Sequence, residues 1–171
     1  NEVAIMCEKL GVDVWEVINA AGTKPFGFMK FSPGPGLGGH CIPIDPHYLS
    51  WKLKTLDYDA RFIQLAGEIN TAMPRHVLKL VTEGLNQQQK ALKGSKILII
   101  GVSYKKDVND VRESPALDIL QLLEESGVKT DYFDPYVESI YWDGSTINSI
   151  KILDRDAVYD FDACIIVTNH S

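Results

Sequence analysis

Residues 96–101 read Lys-Ile-Leu-Ile-Ile-Gly, a short and continuous apolar run that ends in glycine. Such a run is typical of a strand that is buried on both faces of a parallel sheet. A polar loop over 102–113 then leads to Ser114-Pro115, a pair that favours the N-cap and the first position of a helix. Apolar spacing predicts that helix over 116–125, and a second strand is predicted over 129–135. This order predicts a βαβ unit with a right-handed crossover and a parallel sheet.

Helical patterns precede this unit, and one more strand is predicted after it, over 162–168. Gly11 is expected to end the first helix, Asp13 to cap the second and Asp45 to cap the third, with Pro46 at its first position. The predicted helices cover 2–10, 14–21, about 46–56 and about 60–92.

The change from helical spacing to apolar strands near Lys93 predicts an α/β protein with two domains. The first, over 1–92, is a helical central domain that carries a cysteine loop. The second, over 93–171, is a Rossmann-like domain with a doubly wound parallel sheet.

The composition limits the classes of function. The chain has 171 residues, a net charge of −6 and no cluster of Lys and Arg, which argues against a nucleic-acid-binding surface. Since no apolar run reaches the roughly 18 residues of a membrane helix, no membrane partner is predicted. The three cysteines, Cys7, Cys41 and Cys164, lack metal or disulfide spacing and favour a reducing cytoplasm. Cys7 and Cys164 have apolar neighbours and are predicted to lie in the core.

Both ends of the chain are expected to continue in a longer protein. There is no initiator methionine, and the stripe of apolar residues over 2–10 begins at once, as in the middle of a helix. An open α/β sheet is also expected to have at least one more element after the strand at 162–168. We therefore expect a fragment.

Residues 31–46 read Phe-Ser-Pro-Gly-Pro-Gly-Leu-Gly-Gly-His-Cys-Ile-Pro-Ile-Asp-Pro and carry the clearest chemical signal. Cys41 is either a small residue that fills a tight loop or a nucleophile whose thiolate is stabilised by the positive end of the next helix. Asp45 is either only a helix cap or a carboxylate that positions or deprotonates a water molecule. The residues alone leave both alternatives open.

Two other interpretations of this stretch are not favoured. Gly34–Gly39 matches G-x-G-x-x-G, but no strand precedes it and Pro43 follows, so a dinucleotide-binding loop is not predicted. A metal site is not predicted either, because the possible ligands are poorly spaced for one ion. They are His40, Cys41, Asp45 and His47.

The loop over 101–114 follows a predicted strand at the edge where doubly wound folds bind ligands. Its cations, Lys105, Lys106 and Arg112, either meet phosphates or are simply solvated. Asp134, at the end of the second strand, is only weakly similar to a ribose-binding acid because no glycine fingerprint precedes it. His170 carries no signal.

Taken in this order, Pro33–Asp45 and Gly101–Ser114 resemble two motifs of the UDP-glucose/GDP-mannose dehydrogenase family, and the resemblance covers the whole chain. Members have an N-terminal Rossmann domain for NAD, a long central helix with the dimer interface, and a C-terminal Rossmann-like domain for the nucleotide sugar. This chain resembles only the central and C-terminal parts. The resemblance implies a cytoplasmic, NAD-dependent oxidoreductase that forms a homodimer or higher homo-oligomer through its central helices.

The resemblance implies that the C6 hydroxymethyl of a UDP-sugar is oxidised to a carboxylate with two NAD⁺. Cys41 would hold the intermediate as a thiohemiacetal and then a thioester, and Asp45 would help to activate water. The implied substrate-binding residues are Ser32, Pro33, Gly34, Pro35, Gly36, Leu37, Gly38, Tyr104 and Lys105. The implied cofactor-binding residues are Cys41, Ile42, Pro43, Ile44 and Arg112.

His40 and Ile44 stand where the glucose-oxidising branch has Ser and Lys. The chain therefore resembles the UDP-N-acetylhexosamine dehydrogenases of surface polysaccharide synthesis, with UDP-N-acetylglucosamine favoured over its manno epimer. The family's catalytic lysine and asparagine precede the cysteine loop and are expected upstream of residue 1, so the fragment alone is expected to be inactive. The competing hypothesis is a non-catalytic module for nucleotide binding or dimerisation.

Overall fold

The computed structural model describes residues 1–151 and 153–171 and forms two compact units, Asn1–Gly34 and Pro35–Ser171. No helix in these ranges is long and apolar enough to cross a membrane. The helices are α1 (Glu2–Leu10), α2 (Val14–Ala21), α3 (Asp45–Lys54), α4 (Arg61–Gln87), α5 (Pro115–Glu125) and α6 (Arg155–Tyr159). The strands are β1 (Lys96–Ile100), β2 (Lys129–Phe133), β3 (Ser139–Trp142), β4 (Ser145–Asn148) and β5 (Ala163–Ile166).

The first unit contains α1 and α2, and its helix ends follow the sequence closely. Gly11 ends α1 with a φ of 68°, a left-handed conformation that glycine adopts without steric cost. The Asp13 carboxylate accepts a hydrogen bond from the Trp15 N–H at 2.8 Å and caps α2. Cys7 is buried, as predicted. The predicted signals at both helix ends are therefore confirmed.

The second unit contains a three-stranded parallel sheet with the strand order β2-β1-β5. The central strand is the predicted apolar run, and its Ile97, Leu98 and Ile99 are fully buried. The Ser114 hydroxyl accepts a hydrogen bond from the Ala116 N–H at 3.3 Å and caps α5, which packs against β2 and α4. The strand, helix and strand that the sequence predicts are confirmed.

The prediction that Asp45 caps α3 is wrong by one position. Ile44 occupies the N-cap position, and no side chain among the described residues caps the helix. The reason lies in the preceding turn, where the Cys41 carbonyl accepts hydrogen bonds from both the Ile44 and the Asp45 N–H groups. Asp45 is thus the first helical residue, and its exposed carboxylate is free of a capping role.

The long helix α4 has 27 residues and continues through the buried Pro74. It ends at Gln87, earlier than the predicted 92, and β1 starts at Lys96. The helices therefore give way to strands in the predicted region. The assignment of domains to 1–92 and 93–171 stays a prediction.

Sequence patterns gave no expectation for the antiparallel hairpin of β3 and β4 or for α6. The hairpin turns at Asp143-Gly144, with φ angles of 44° and 78°. The Tyr132 hydroxyl lies 3.3 Å from the Val137 carbonyl and 3.4 Å from the Ile147 carbonyl of β4, and the second contact ties the hairpin to β2. Burial, with a further contribution from Asp134, raises the pKa of Tyr132 to about 12.

β5 covers only Ala163–Ile166 of the strand predicted over 162–168, and it lies at the edge of the described sheet. Cys164 is exposed, so its prediction as a core residue is wrong. Side chains alternate between the two faces of a strand, and here Ile165 takes the buried face while Cys164 takes the other. The partial burial that remains raises the pKa of the Cys164 thiol.

Candidate functional site

The structure brings together the two motif regions, which we call the cysteine loop (residues 35–44) and the β1 loop (residues 101–114). A Cβ atom at Gly38 would lie 2.6 Å from the Tyr104 Cβ and 2.8 Å from the Glu113 carbonyl oxygen. Gly39 has a φ of 92°, and its N–H donates to the Arg112 carbonyl at 3.4 Å. The glycines are therefore required because the two loops approach at backbone distance.

A cavity of about 510 Å³ lies between the two loops. It unites the predicted nucleophile with several of the predicted substrate-binding residues. The lining residues are Gly36, Leu37, Gly38, Gly39, His40, Cys41, Ile42, Tyr104 and Lys105.

Cys41 presents a free and exposed thiol at this cavity. Its carbonyl accepts the Ile44 N–H at 3.2 Å and the Asp45 N–H at 2.8 Å, which places the residue one turn before α3. The positive end of a helix favours negative charge close to its first turn. An accessible thiol beside a ligand-sized cavity is chemically suited to attack a bound electrophile.

Other predicted residues lie outside this lining. The Asp45 carboxylate is exposed at the start of α3 and does not line the cavity. Pro43 and Ile44 line a separate apolar surface pocket of about 500 Å³ with His47, Tyr48 and Trp51. Ser32, Pro33 and Gly34 belong to the first compact unit.

Lys105 is held at the cavity by the local conformation of the β1 loop. The Ser103 hydroxyl donates to the Lys105 carbonyl at 2.9 Å, and the Tyr104 N–H donates to the Asp110 carbonyl at 2.9 Å. The Lys105 side chain is exposed. The loop therefore fixes the backbone of Lys105 while its ammonium group remains accessible to an anion.

Arg112 does not line the cavity, and its guanidinium is paired with Asp110. The Nε atom lies 2.9 Å from Oδ1 of Asp110, and the Nη2 atom lies 2.6 Å from Oδ2. The hydrogen bonds from Arg112 lower the pKa of Asp110 to about 2. The predicted contact of Arg112 with NAD remains a prediction.

A second cavity, of about 560 Å³, lies between the cysteine loop, α4 and α5. Gly67 makes room for the His47 ring, since a Cβ there would lie 2.7 Å from its Cε1 atom. Asp118 at its edge has a raised pKa, mainly because of burial and also because of the nearby Glu113.

A buried carboxylate, Asp134, organises the edge of the sheet beneath the β1 loop. Its Oδ2 atom accepts the Val102 N–H at 2.7 Å and the Ser103 N–H at 3.2 Å. Its Oδ1 atom accepts the Tyr136 N–H at 2.8 Å and the Val137 N–H at 3.1 Å. Burial opposes its ionisation, but these backbone hydrogen bonds and one from His170 hold the pKa of Asp134 below its ordinary value.

Sequence reasoning missed His170, whose Nε2 atom lies 3.1 Å from Asp134 Oδ2 and 3.2 Å from Ser103 Oγ. We call Ser103, Asp134 and His170 the Asp134 network. A signal was present, because residues that follow parallel strands meet at one sheet edge. No group of three or more His, Cys, Asp or Glu in 1–151 and 153–171 is arranged to hold a metal ion.

Two family models match the chain. The central domain of the UDP-glucose/GDP-mannose dehydrogenase family matches residues 1–72, and the UDP-binding domain of the same family matches residues 98–171. The glycine-rich cysteine motif lies in the first range, and the β1 loop lies in the second.

Curated relatives agree with these models. A UDP-N-acetyl-D-mannosamine dehydrogenase from Methanococcus maripaludis is 35% identical over 99% of this chain and 36% of its own length. A UDP-N-acetyl-D-glucosamine 6-dehydrogenase from Pseudomonas aeruginosa is 34% identical over 81% of this chain and 32% of its own length. The chain thus spans about a third of each of these relatives.

Solved structures confirm the α/β, Rossmann-like fold. The structure of a UDP-D-ManNAc dehydrogenase from Pyrococcus horikoshii superposes with a TM-score of 0.83 and 31% identity, over 99% of this chain and 37% of that one. A UDP-glucose dehydrogenase from Pyrobaculum islandicum gives a TM-score of 0.85 and 28% identity, over 99% and 39%. The chain, with its cysteine loop packed on the β1 loop, belongs to the UDP-glucose/GDP-mannose dehydrogenase family.

Proposed function

We propose that this chain forms the central and UDP-binding parts of an NAD-dependent UDP-N-acetylhexosamine 6-dehydrogenase. The enzyme would oxidise UDP-N-acetylglucosamine or UDP-N-acetylmannosamine to the uronate for surface polysaccharide synthesis. The observation that carries this proposal is the cavity in which the exposed Cys41 thiol lies with Tyr104 and Lys105. Relatives named for both sugars support the substrate class.

The two family models support the proposed domain roles. Residues 1–92 form the helical part that supplies the thiol, and residues 93–171 form the part that binds the UDP-sugar. The β1 loop would contribute Tyr104 and Lys105 to that ligand, because both line the cavity. The Lys105 ammonium group is suited to the negative charge of a nucleotide sugar.

Cys41 acts as the covalent nucleophile in the proposed mechanism. Oxidation of the C6 alcohol, which loses a hydride and a proton, gives an aldehyde. The Cys41 thiolate adds to its carbon, and protonation of the oxygen gives a thiohemiacetal. Loss of a second hydride and that proton gives a thioester. When bound, NAD⁺ would supply the hydride acceptor for both oxidations.

Water completes the reaction by attacking the thioester carbon. Asp45, the first residue of α3, is proposed to accept the proton of this water. The carbon–sulfur bond breaks, the acid is released, and Cys41 returns as a thiolate. The free carboxylate of Asp45 supports this role, since the helix has no side-chain cap.

The residues proposed for NAD are suited to pack against the face of a planar ring next to the thiol. Ile42 is 66% exposed and Ile44 is 38% exposed, so the cysteine loop presents apolar surface beside Cys41. Pro43 lies between them. Arg112 would reach a cofactor phosphate only by exchanging its partner Asp110 for the phosphate.

We also propose a homodimer, or a higher homo-oligomer, through the central helices. Trp51 on α3 is 66% exposed and Phe62 on α4 is 89% exposed, and large apolar side chains exposed together mark interaction surfaces. Equilibrium sedimentation of the protein, with Phe62→Glu as the disrupting variant, checks this assembly. Because the mechanism needs a reduced thiol, the cytoplasm is the proposed compartment.

The decisive test is Cys41→Ser in the full-length protein that carries this chain, with Cys164→Ser as the matched control. Both thiols are exposed, but only Cys41 lines the cavity. Cys41→Ser should reduce acid formation by at least about 1,000-fold, the scale expected for loss of a covalent nucleophile. Cys164→Ser should retain the unaltered rate. NADH absorbance and mass spectrometry of the sugar product measure both.

Near-normal acid formation by Cys41→Ser would contradict the proposed role of the thiol. If the unaltered protein binds UDP-sugars but produces no NADH with any of them, the non-catalytic module is supported instead.

A further inference from the structure

The segment after β5 folds back onto the base of the β1 loop. Gly101 has a φ of 79°, and a Cβ atom there would overlap the Thr168 carbonyl oxygen. The Thr168 hydroxyl donates to the Ser103 carbonyl at 2.6 Å. Glycine is therefore required at this crossing, and the two segments are held at backbone distance.

His170 lies inside this contact, with only 6% of its side chain exposed. Its Nδ1 atom accepts the Asp107 N–H at 3.0 Å, so the ring proton is assigned to Nε2. Nε2 then donates to Asp134 Oδ2 at 3.1 Å. The Tyr136 ring covers the imidazole, with ring centroids 4.9 Å apart. Both ring nitrogens of a neutral imidazole are thus satisfied.

These contacts fix the β1 loop on both sides of Lys105. On one side, His170 Nε2 lies 3.2 Å from Ser103 Oγ, and that hydroxyl donates to the Lys105 carbonyl. On the other side, His170 holds Asp107, whose φ of 61° is uncommon for a residue with a side chain. The Ser171 N–H and hydroxyl each donate to the Asp107 carboxylate at 2.8 Å.

We infer that His170 is a positioning residue for substrate binding, which holds the β1 loop so that Lys105 faces the Cys41 cavity. The inference rests on the proposed function, because Lys105 must contact the UDP-sugar for its position to matter. His170 itself is buried against the loop and does not line the cavity. Its effect should therefore pass through Lys105.

A double-mutant cycle in the full-length protein tests this coupling. The measured quantity is the Kd for UDP-N-acetylglucosamine and for UDP-N-acetylmannosamine, by titration calorimetry without NAD⁺. His170→Ala and Lys105→Ala should each raise the Kd about tenfold, as for the loss of one hydrogen bond to a charged group. The double variant should stay within about threefold of Lys105→Ala, because coupled residues are not additive.

A merely structural role gives a different result. If the two effects multiply to about 100-fold in the double variant, or if His170→Ala leaves the Kd unchanged while Lys105→Ala raises it, the inference is overturned. If the unaltered protein binds neither UDP-sugar, the proposed function fails and the inference falls with it. The two failures are therefore distinguishable.

Three further variants guard against a trivial loss of folding. His170→Gln places an amide N–H near Nε2 and should bring the Kd back to within about threefold of the unaltered protein. Asn169→Ala changes the exposed neighbour outside the Asp134 network and should leave the Kd unchanged. If His170→Ala does not fold by circular dichroism, Ser103→Ala replaces it in the cycle. It should raise the Kd about threefold, and an unchanged Kd would overturn the inference.

Discussion

The cysteine loop and the β1 loop line the same cavity, but different forces hold them. The cysteine loop is shaped by close backbone approach, with Gly38 against Tyr104 and the exposed Cys41 at the cavity. The β1 loop is anchored by buried polar groups, with Asp134 accepting hydrogen bonds from Val102 and Ser103. One loop depends on the absence of side-chain volume, and the other depends on the satisfaction of a buried charge.

This difference teaches how the site divides its tasks. Cys41, the proposed nucleophile, lies on a segment whose side chains remain accessible, since its packing uses glycine backbone. The cationic Lys105 lies on a segment whose backbone is held by hydrogen bonds to the buried Asp134 and Ser103 side chains, so that only the Lys105 side chain is free to move. Substitutions that add side-chain volume should therefore damage the cysteine loop, and substitutions that remove the buried charge should damage the β1 loop.

The largest expected effect comes from Asp134→Asn. This change replaces a carboxylate that accepts hydrogen bonds from several backbone N–H groups with a neutral amide. The amide NH₂ group, itself a donor, would then face some of these N–H donors. The free energy of unfolding at about pH 7 should fall by about 3 kcal/mol, as for a broken buried polar network. Urea unfolding measures the loss, and Asp131→Asn, at an exposed position of β2, serves as the control with little change.

The difference between the unaltered protein and Asp134→Asn should also depend on pH. The folded-state pKa of Asp134 lies below the ordinary value of 3.8, so its ionised form stabilises the fold above that value. This contribution is lost as the pH falls below 3.8 through the lower folded-state pKa. A gap that stays constant from about pH 7 to about pH 2 would show that the charge of Asp134 is not what holds the β1 loop.

Gly38→Ala is expected to have the next largest effect. The added methyl group meets the Tyr104 Cβ and the Glu113 carbonyl, neither of which is the end of a flexible side chain. Displacing the loop should lower the free energy of unfolding by about 2 kcal/mol. Gly84→Ala on α4 is the control, because nothing lies within 4 Å and helical alanine should stabilise by about 0.5–1 kcal/mol. Equal effects at both glycines would contradict the steric argument.

The smallest effect is expected for Arg112→Ala, at the exposed end of the β1 loop. Its pair with Asp110 lies at the surface, so the melting temperature should not change measurably. The pKa of Asp110 should nevertheless rise from about 2 toward its ordinary value of 3.8. Nuclear magnetic resonance titration of the Asp110 carboxyl measures this shift, and an unchanged pKa would show that the pair does not persist in solution.

Local signals predicted much of the secondary structure. The apolar run of β1, the Ser114 cap of α5 and the Gly11 end of α1 all appear in the structure. Asp143-Gly144, between Ile140 and Trp142 on one side and Ile147 on the other, was an equally local hairpin signal that sequence reasoning did not use. The Asp45 cap was misplaced because the Cys41 carbonyl accepts hydrogen bonds from both the Ile44 and Asp45 N–H groups. The intrinsic preference for Asp over Ile at an N-cap therefore pointed to the wrong position, because the preceding turn fixes where the helix begins.

The sequence by itself determined the order of helices and strands from α1 to β2, the parallel pairing of β1 with β2 and the family, because spacing, caps and motifs act within a few residues. Only the tertiary structure decided that Cys41 shares a cavity with Lys105 and that His170 contacts Asp134, which is 36 positions away. The sheet order β2-β1-β5 places the carboxyl ends of three parallel strands side by side. Contacts at that edge depend on where distant segments meet, and that information is not present in any local pattern.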